Sequence, residues 1–316
     1  NMPNLQRFAE QHQRYVNHIA GDNETETSLF SLFYGLPAQY ADDVEADKRS
    51  PLLLDEMQRQ EYRIKAFATQ GLDLPIYQEA IFSGIRHKRT QAGSRSDAQT
   101  LENWMRWQQG QPEGQPWFTY VSLDGPGSLE LPANYQGPNQ PELKRLDPFN
   151  SISPELRPQL INRYKNAVFY ADQLLGSLFE AMQAAQLMDN TLIIITSDHG
   201  FELGESGQDN WGAGSNYSQA QMRVPMILAW PGKAPEQHNE ISSHQDLVPT
   251  LLTELFGVSS PVDDYSTGRS LLQLQPRKWL LSGNNRHFVI VGDKEITLFD
   301  RQGNFEVRDA STYDVI

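Results

Sequence analysis

The run Thr191-Leu192-Ile193-Ile194-Ile195-Thr196 narrows the possible folds more than any other stretch of the chain. A strand with one solvated face alternates apolar and polar residues, because successive side chains point to opposite faces. This run does not alternate. It predicts a central strand covered on both faces, as in α/β proteins with helices on either side of the sheet. Ser197-Asp198-His199-Gly200 follows directly. In open α/β sheets, functional loops sit beyond the carboxyl ends of the strands.

The rest of the chain agrees with that class. Residues 160–185 predict a long helix, since Ile161, Tyr164, Val168, Ala171, Leu174, Leu175, Leu178 and Met182 recur at helical spacing. Residues 63–69, 117–123 and 224–230 predict further strands, the last two buried. Residues 52–60, 76–85, 100–108 and 246–256 predict helices, with Asp246 placed to cap the last. The opening segment predicts an amphipathic helix running into a short extended stretch. Residues 200–221 read as a long polar loop, and 125–158 as mostly loop. Beyond Pro276 the texture changes to four short strands joined by tight turns, an antiparallel meander. Strands alternating with helices and then hairpins predict an α/β fold: a doubly wound, mostly parallel sheet with a small C-terminal antiparallel β-subdomain. The expected division is 1–275 and 276–316.

Charge and composition remove several function classes. The chain has 316 residues, a formal net charge of −14 and no cysteine. Disulfides, thiolate metal sites and a cysteine nucleophile are excluded. No basic stripe suits a nucleic acid, so no nucleic-acid partner is expected. No apolar run approaches the ~18–20 residues that span a bilayer, and no signal peptide opens the chain.

Three segments could carry chemistry. Asp198 and His199 offer an oxygen and an imidazole nitrogen to a divalent cation, or Asp198 caps a turn and His199 is a satisfied polar group. Glu24-Thr25-Glu26-Thr27-Ser28 precedes an apolar run. A hydroxyl there is an activated nucleophile beside exposed helix amides, or an ordinary cap. His244 opens a capped amphipathic helix and reads as structural. Separately, the basic loop Arg86-His87-Lys88-Arg89, with Arg95, is the local candidate for anionic lipid headgroups.

In order, these segments resemble the sulfatase family of the alkaline-phosphatase superfamily. Met2-Pro3-Asn4-Leu5-Gln6-Arg7-Phe8-Ala9 is similar to the family's TPNLDRLA stretch. Thr25 lies ten residues before Gly35, the spacing from the family nucleophile to the glycine closing its signature. Trp117 to Ser122, Asn190 to Gly200, Val224 to Gly232, Asp246 to Leu252 and Gly268-Arg269-Ser270-Leu271 follow as later landmarks. Ser28 to Gly35, Trp104 to Trp107 and Val258 to Ser266 look like the narrower group of inner-membrane sulfatase-like proteins that monitor lipopolysaccharide, the YejM/PbgA family.

That resemblance implies a periplasmic domain, membrane helices and a linker outside this sequence, and lipopolysaccharide or anionic phospholipid as partner. It also implies a regulatory inner-membrane protein as a second partner. It implies one divalent metal (Mg, Mn or Zn) held by Thr25, Asp198 and His199, with Thr25 as nucleophile. A first strand bearing an acidic ligand is expected before Met2. The departures are specific. Thr25 replaces the cysteine that sulfatases convert to formylglycine, and Leu29 replaces their arginine. Threonine is the nucleophile of related phosphoethanolamine and lipoteichoic-acid transferases, but residues 204–221 hold Glu205, Asp209 and Asn216 and no histidine. The expected function is lipid sensing on a partly degenerate active site. The alternative is a metal-dependent phosphate-ester hydrolase or transferase.

Overall fold

The structure is a computed structural model that describes residues 2–85, 93–144 and 153–316. Its helices are α1 (Pro3–Ala9), α2 (Thr25–Tyr34), α3 (Ala41–Asp47), α4 (Leu52–Arg59), α5 (Asp97–Gln109), α6 (Gly125–Ser128), α7 (Arg157–Ala184), α8 (Gln219–Met222) and α9 (Leu247–Glu254). Its strands are β1 (Gln13–Ile19), β2 (Arg63–Ala68), β3 (Trp117–Ser122), β4 (Ile193–Thr196), β5 (Glu202–Leu203), β6 (Trp211–Gly212), β7 (Arg223–Ala229), β8 (Glu236–Ser243), β9 (Trp279–Gly283), β10 (Phe288–Gly292), β11 (Glu295–Phe299) and β12 (Phe305–Asp309). Ile76–Ile81 forms a π-helical turn where a short helix was expected.

The main sheet has the order β4-β7-β1-β8, and β2 pairs with β3 beside it. β1 runs parallel to β8, and β2 parallel to β3. β7 runs antiparallel to both β1 and β4. Helices cover both faces, which explains the unbroken apolar strands. Met226 and Leu228 of β7 pack in the cluster of α2, α4 and α9, with Phe30, Leu54 and Leu251. Their neighbours Ile227 and Ala229 face the other way, onto Leu5 and Phe8 of α1 and Phe179 of α7. The fold is therefore doubly wound, and the helix α1 is tied down at long range. Its first amides, Asn4 N and Leu5 N, donate to the buried carboxylate of Asp172 on α7 at 3.0 and 2.8 Å. A remote side chain thus does the work of a local N-cap.

Two strands expected to be buried are half-exposed along their length: β3 and β4. Each has one neighbour only among the described residues, β2 and β7 respectively. Yet Phe118, Tyr120 and Ile194 share one core cluster, and Trp117, Val121 and Ile193 share another. β3 and β4 therefore lie in one layer with a seam between them, each with one edge unpaired among the described residues.

The C-terminal region is the expected meander, order β12-β11-β10-β9, all antiparallel. Its inner face, Leu280, Val289, Val291 and Ile296, packs on Ile19, Tyr217 and Met222. One expectation fails at Asp246. Its side chain makes no cap bond to α9. It accepts instead from Ser243 N at 2.7 Å, from Arg269 N at 2.8 Å and from the Arg277 guanidinium. The bond from Ser243 N belongs to a capping box around the 3₁₀ turn His244–Asp246 that leads into α9, so Asp246 serves the helix start one turn earlier than expected and also pairs with a distant arginine.

Candidate functional site

Thr25 is the first residue of α2, and its hydroxyl points at the loop after β4. Thr25 Oγ1 donates to Asp198 Oδ2 at 2.7 Å and lies 3.2 Å from His199 Nε2. His199 Nδ1 is 2.9 Å from the Gly200 carbonyl, a contact that requires the proton on Nδ1 and leaves Nε2 as the acceptor in the neutral ring. Asp198 Oδ1 accepts from His199 N at 3.0 Å, so the carboxylate is fixed from both oxygens. The two side chains keep 30% and 18% exposure, enough for a ligand to reach them.

Backbone geometry holds this loop. Gly200 N donates to Gln221 O at 2.7 Å, and a Cβ on Gly200 would stand 2.0 Å from Ala220 O. Only glycine fits that approach. At the far end of α2, Gly35 has φ +68° and closes the helix on Ser31 O. Its own carbonyl accepts from Thr267 N at 3.0 Å and Ser266 Oγ at 2.6 Å. Both ends of α2 are thereby pinned by residues far along the chain.

Behind the site lies a layer that sequence reasoning did not place. Ser28 bridges the Asp198 carbonyl and His244 Nδ1, the latter at 3.1 Å, and Gly21 N donates to His244 Nδ1 at 3.2 Å. His244 is fully buried, and that burial lowers its pKa to about 4, so the ring is neutral near pH 7. His18 stacks obliquely against it at 5.2 Å and bonds Ser242 Oγ at 2.9 Å. Burial, with His244 and Arg277 nearby, holds His18 well below the ordinary imidazole range. His244 is thus a structural histidine, as its sequence position suggested. On the opposite side, the Tyr77 and Tyr120 hydroxyls meet at 3.2 Å. Burial first, and the Asp198 charge among lesser causes, raises both phenols. Their strand and turn positions carried no signal of this meeting.

The structure brings together Thr25, Asp198 and His199. Glu205, Asp209 and Asn216 do not join them. Asn216 Nδ2 donates to buried Glu202 at 2.7 Å, Asp209 pairs with Arg157 and accepts from Trp211 Nε1 at 2.9 Å, and Glu205 accepts from Leu203 N. Leu29 is 2% exposed and belongs to the central core. Arg86, Lys88 and Arg89 lie outside the described residues.

The donor set was tested against a divalent metal. The carbonyl contact of His199 Nδ1 is the kind that orients a ligating imidazole. Catalytic metal sites, however, use three strong protein ligands. Among the described residues, no group of three or more His, Cys, Asp or Glu side chains is gathered. One carboxylate, one imidazole and one hydroxyl do not by themselves complete a metal centre.

The sulfatase family pattern matches residues 1–258. The chain belongs to the sulfatase family. It is 27% identical over 311 residues to the inner membrane protein YejM of Salmonella typhimurium, covering 98% of this chain and 48% of that protein. The chain thus spans about half the length of the curated relatives it matches. The phosphonate monoester hydrolase of Agrobacterium radiobacter superposes with a TM-score of 0.73 at 18% identity, covering 98% of this chain and 84% of that one. An alkaline-phosphatase-superfamily protein from Vibrio parahaemolyticus gives 0.68 at 17% identity, covering 100% and 75%. These likenesses establish the alkaline-phosphatase-type α/β fold. Among the described residues, no helix is long and apolar enough to cross a membrane.

Proposed function

We propose that this sulfatase-family domain works on the periplasmic side of a bacterial inner membrane, where it senses lipopolysaccharide and helps regulate outer-membrane lipid supply. Membrane helices outside this chain and a regulatory inner-membrane protein are the partners that reading requires. One observation carries it. The position corresponding to the sulfatase arginine is Leu29, sealed in the core, and the nucleophile position is Thr25, whose hydroxyl is engaged by Asp198 and His199. Without a guanidinium, charge developing on a sulfuryl or phosphoryl group meets little stabilisation. The family relation to proteins named as inner membrane proteins supports the location.

A second reading is favoured by the convergence of Thr25, Asp198 and His199 itself. In it the chain acts on a phosphate ester, with Thr25 as nucleophile. Thr25, Asp198 and His199 would hold part of the shell of a magnesium, manganese or zinc ion, which would acidify the hydroxyl.

The two readings separate in one experiment. Lipopolysaccharide binding and phosphate- and sulfate-ester turnover are measured on the chain and on Thr25→Ala and Asp198→Ala, with each metal added. Sensing predicts saturable lipopolysaccharide binding that both variants retain, with no turnover that depends on Thr25. Metal-dependent phosphate-ester turnover, lost about a thousandfold or more in Thr25→Ala, would establish the enzyme instead.

A further inference from the structure

One end of the outward face of the C-terminal sheet is aromatic, where the solvated face of an antiparallel sheet is ordinarily polar, while Thr297, Glu295 and Asp309 stand on the rest of that face. With Val289, Val291 and Ile296 buried inward, the period of two turns Phe288, Ile290, Phe299 and Phe305 outward. Register sets Phe288 opposite Phe299, and Phe299 opposite Phe305. Their ring centroids are 6.1 and 5.9 Å apart, a continuous aromatic row across three strands. Phe288 is 43% exposed and Phe305 67%, and none of the three rings belongs to a core cluster. Exposed aromatic surface of this kind marks an interaction site.

Charge says what kind. At the same end of the sheet stand the turns 284–287 and 300–304, which carry exposed Arg286 and Arg301. Arg301 donates to the carbonyl and side chain of Asn285 at 2.9 and 3.2 Å, binding the two turns into one tip. Asp300 spends its carboxylate inside its turn, on Gln302 N, Asn304 N and Asn304 Nδ2. Residues 276–316 carry six Lys or Arg and six Asp or Glu, so the formal charge of −14 resides on residues 1–275. One carboxylate of the main body, Asp42 of α3, borders the tip by accepting from Asn285 Nδ2, and an anionic surface meets less repulsion at this formally neutral end than elsewhere.

We propose that the tip formed by Phe288, Phe299, Phe305, Arg286 and Arg301 docks on an anionic lipid surface. The rings sit at headgroup depth and the guanidinium groups contact phosphates. This rests on the reading of the chain as a membrane-side domain, and it names the surface that meets the lipid.

The test is sedimentation of the chain with vesicles of phosphatidylglycerol and phosphatidylcholine, and with phosphatidylcholine alone. Partition is expected to favour the anionic vesicles and to fall about tenfold or more when one anchoring ring is removed in Phe288→Ser or Phe305→Ser. Arg286→Glu is expected to weaken binding to anionic vesicles only. Unfolding midpoints of the three variants, expected to match the parent, separate docking from stability. Equal partition of the parent and the Phe288→Ser/Phe305→Ser double variant overturns the proposal. So does self-association that this double variant abolishes without any vesicle binding, since a second copy would then cover the face. Phenylalanine-dependent vesicle binding without lipopolysaccharide binding would leave the docking surface standing and remove the sensing function. The reverse pattern would remove the docking surface alone.

Discussion

Asp246 and Arg277 form an ion pair with side-chain exposures of 0% and 8%. Burial raises the Asp246 pKa even though the Arg277 guanidinium opposes that shift. Desolvation therefore outweighs the attraction, and the pair adds little net stability over an apolar replacement. Each partner is nonetheless indispensable while the other remains. Asp246→Asn leaves a buried guanidinium without a counter-charge, and Arg277→Met leaves a buried carboxylate that also receives Ser243 N and Arg269 N. Each single variant is expected to lose about 3 kcal/mol or more. The double variant Asp246→Asn/Arg277→Met keeps an oxygen for only one of the two backbone donors, which bond different carboxylate oxygens, and is still expected to lose less than the sum of the singles. A double-variant loss of about 4 kcal/mol against a sum of about 6 kcal/mol gives a coupling of about 2 kcal/mol. Equilibrium urea unfolding of all four proteins at pH 7 measures it. A double variant that loses the full sum of the singles would refute the argument, because the charges would then not be acting on each other.

Two further expectations concern the site. His244 has a folded pKa of about 4 against 6.5 unfolded. Between those values the unfolded chain binds the extra proton, so stability is full above pH 6.5 and falls as pH drops towards 4, by about 3 kcal/mol at most. Urea midpoints from pH 7.5 to 4 should decline less steeply in His244→Gln, and identical slopes would contradict the assignment. In Gly200→Ala the new Cβ meets the Ala220 carbonyl at 2.0 Å, and backbone must shift. A loss of about 2–3 kcal/mol in thermal unfolding is expected, and an unchanged midpoint would show that the loop gives way easily.

How much of this was legible in the sequence varied with the range of the interaction. The β4 run, the long helix α7 and the four-stranded meander were readable because hydrophobic periodicity is a local signal. β8 was not predicted. Its sequence, Glu236 to Ser243, is mostly polar, and it forms a strand because β1 offers a free edge in parallel register. α3 escaped for a similar reason, with Ala41 its one buried residue. In the site, the order of motifs pointed to Thr25, Asp198 and His199, which the fold brings within hydrogen-bonding distance. The capping role of Asp246 was legible one turn out of place, and its ion pair with Arg277 was not, since Arg277 lies 31 residues away in sequence. His18 and Tyr120 stayed invisible because long-range strand pairing places them, and Tyr77 because its hydroxyl meets Tyr120 from a turn 43 residues earlier.

The position of β1 also governs how the chain comes to be folded. This strand sits between β7 and β8, with Tyr15 opposite both Met226 and His238. Its partners among the described residues, β7 and β8, begin only at Arg223 and Glu236. During synthesis at about 5–20 residues per second, a strand whose Tyr15 is 2% exposed in the folded chain must wait on the order of ten seconds or more for its neighbours to emerge. The waiting loop is long, so its closure is entropically costly and folding of the central sheet is intrinsically slow. A chaperone that shelters the nascent β1 segment would act at the step where this topology is most exposed to misassembly.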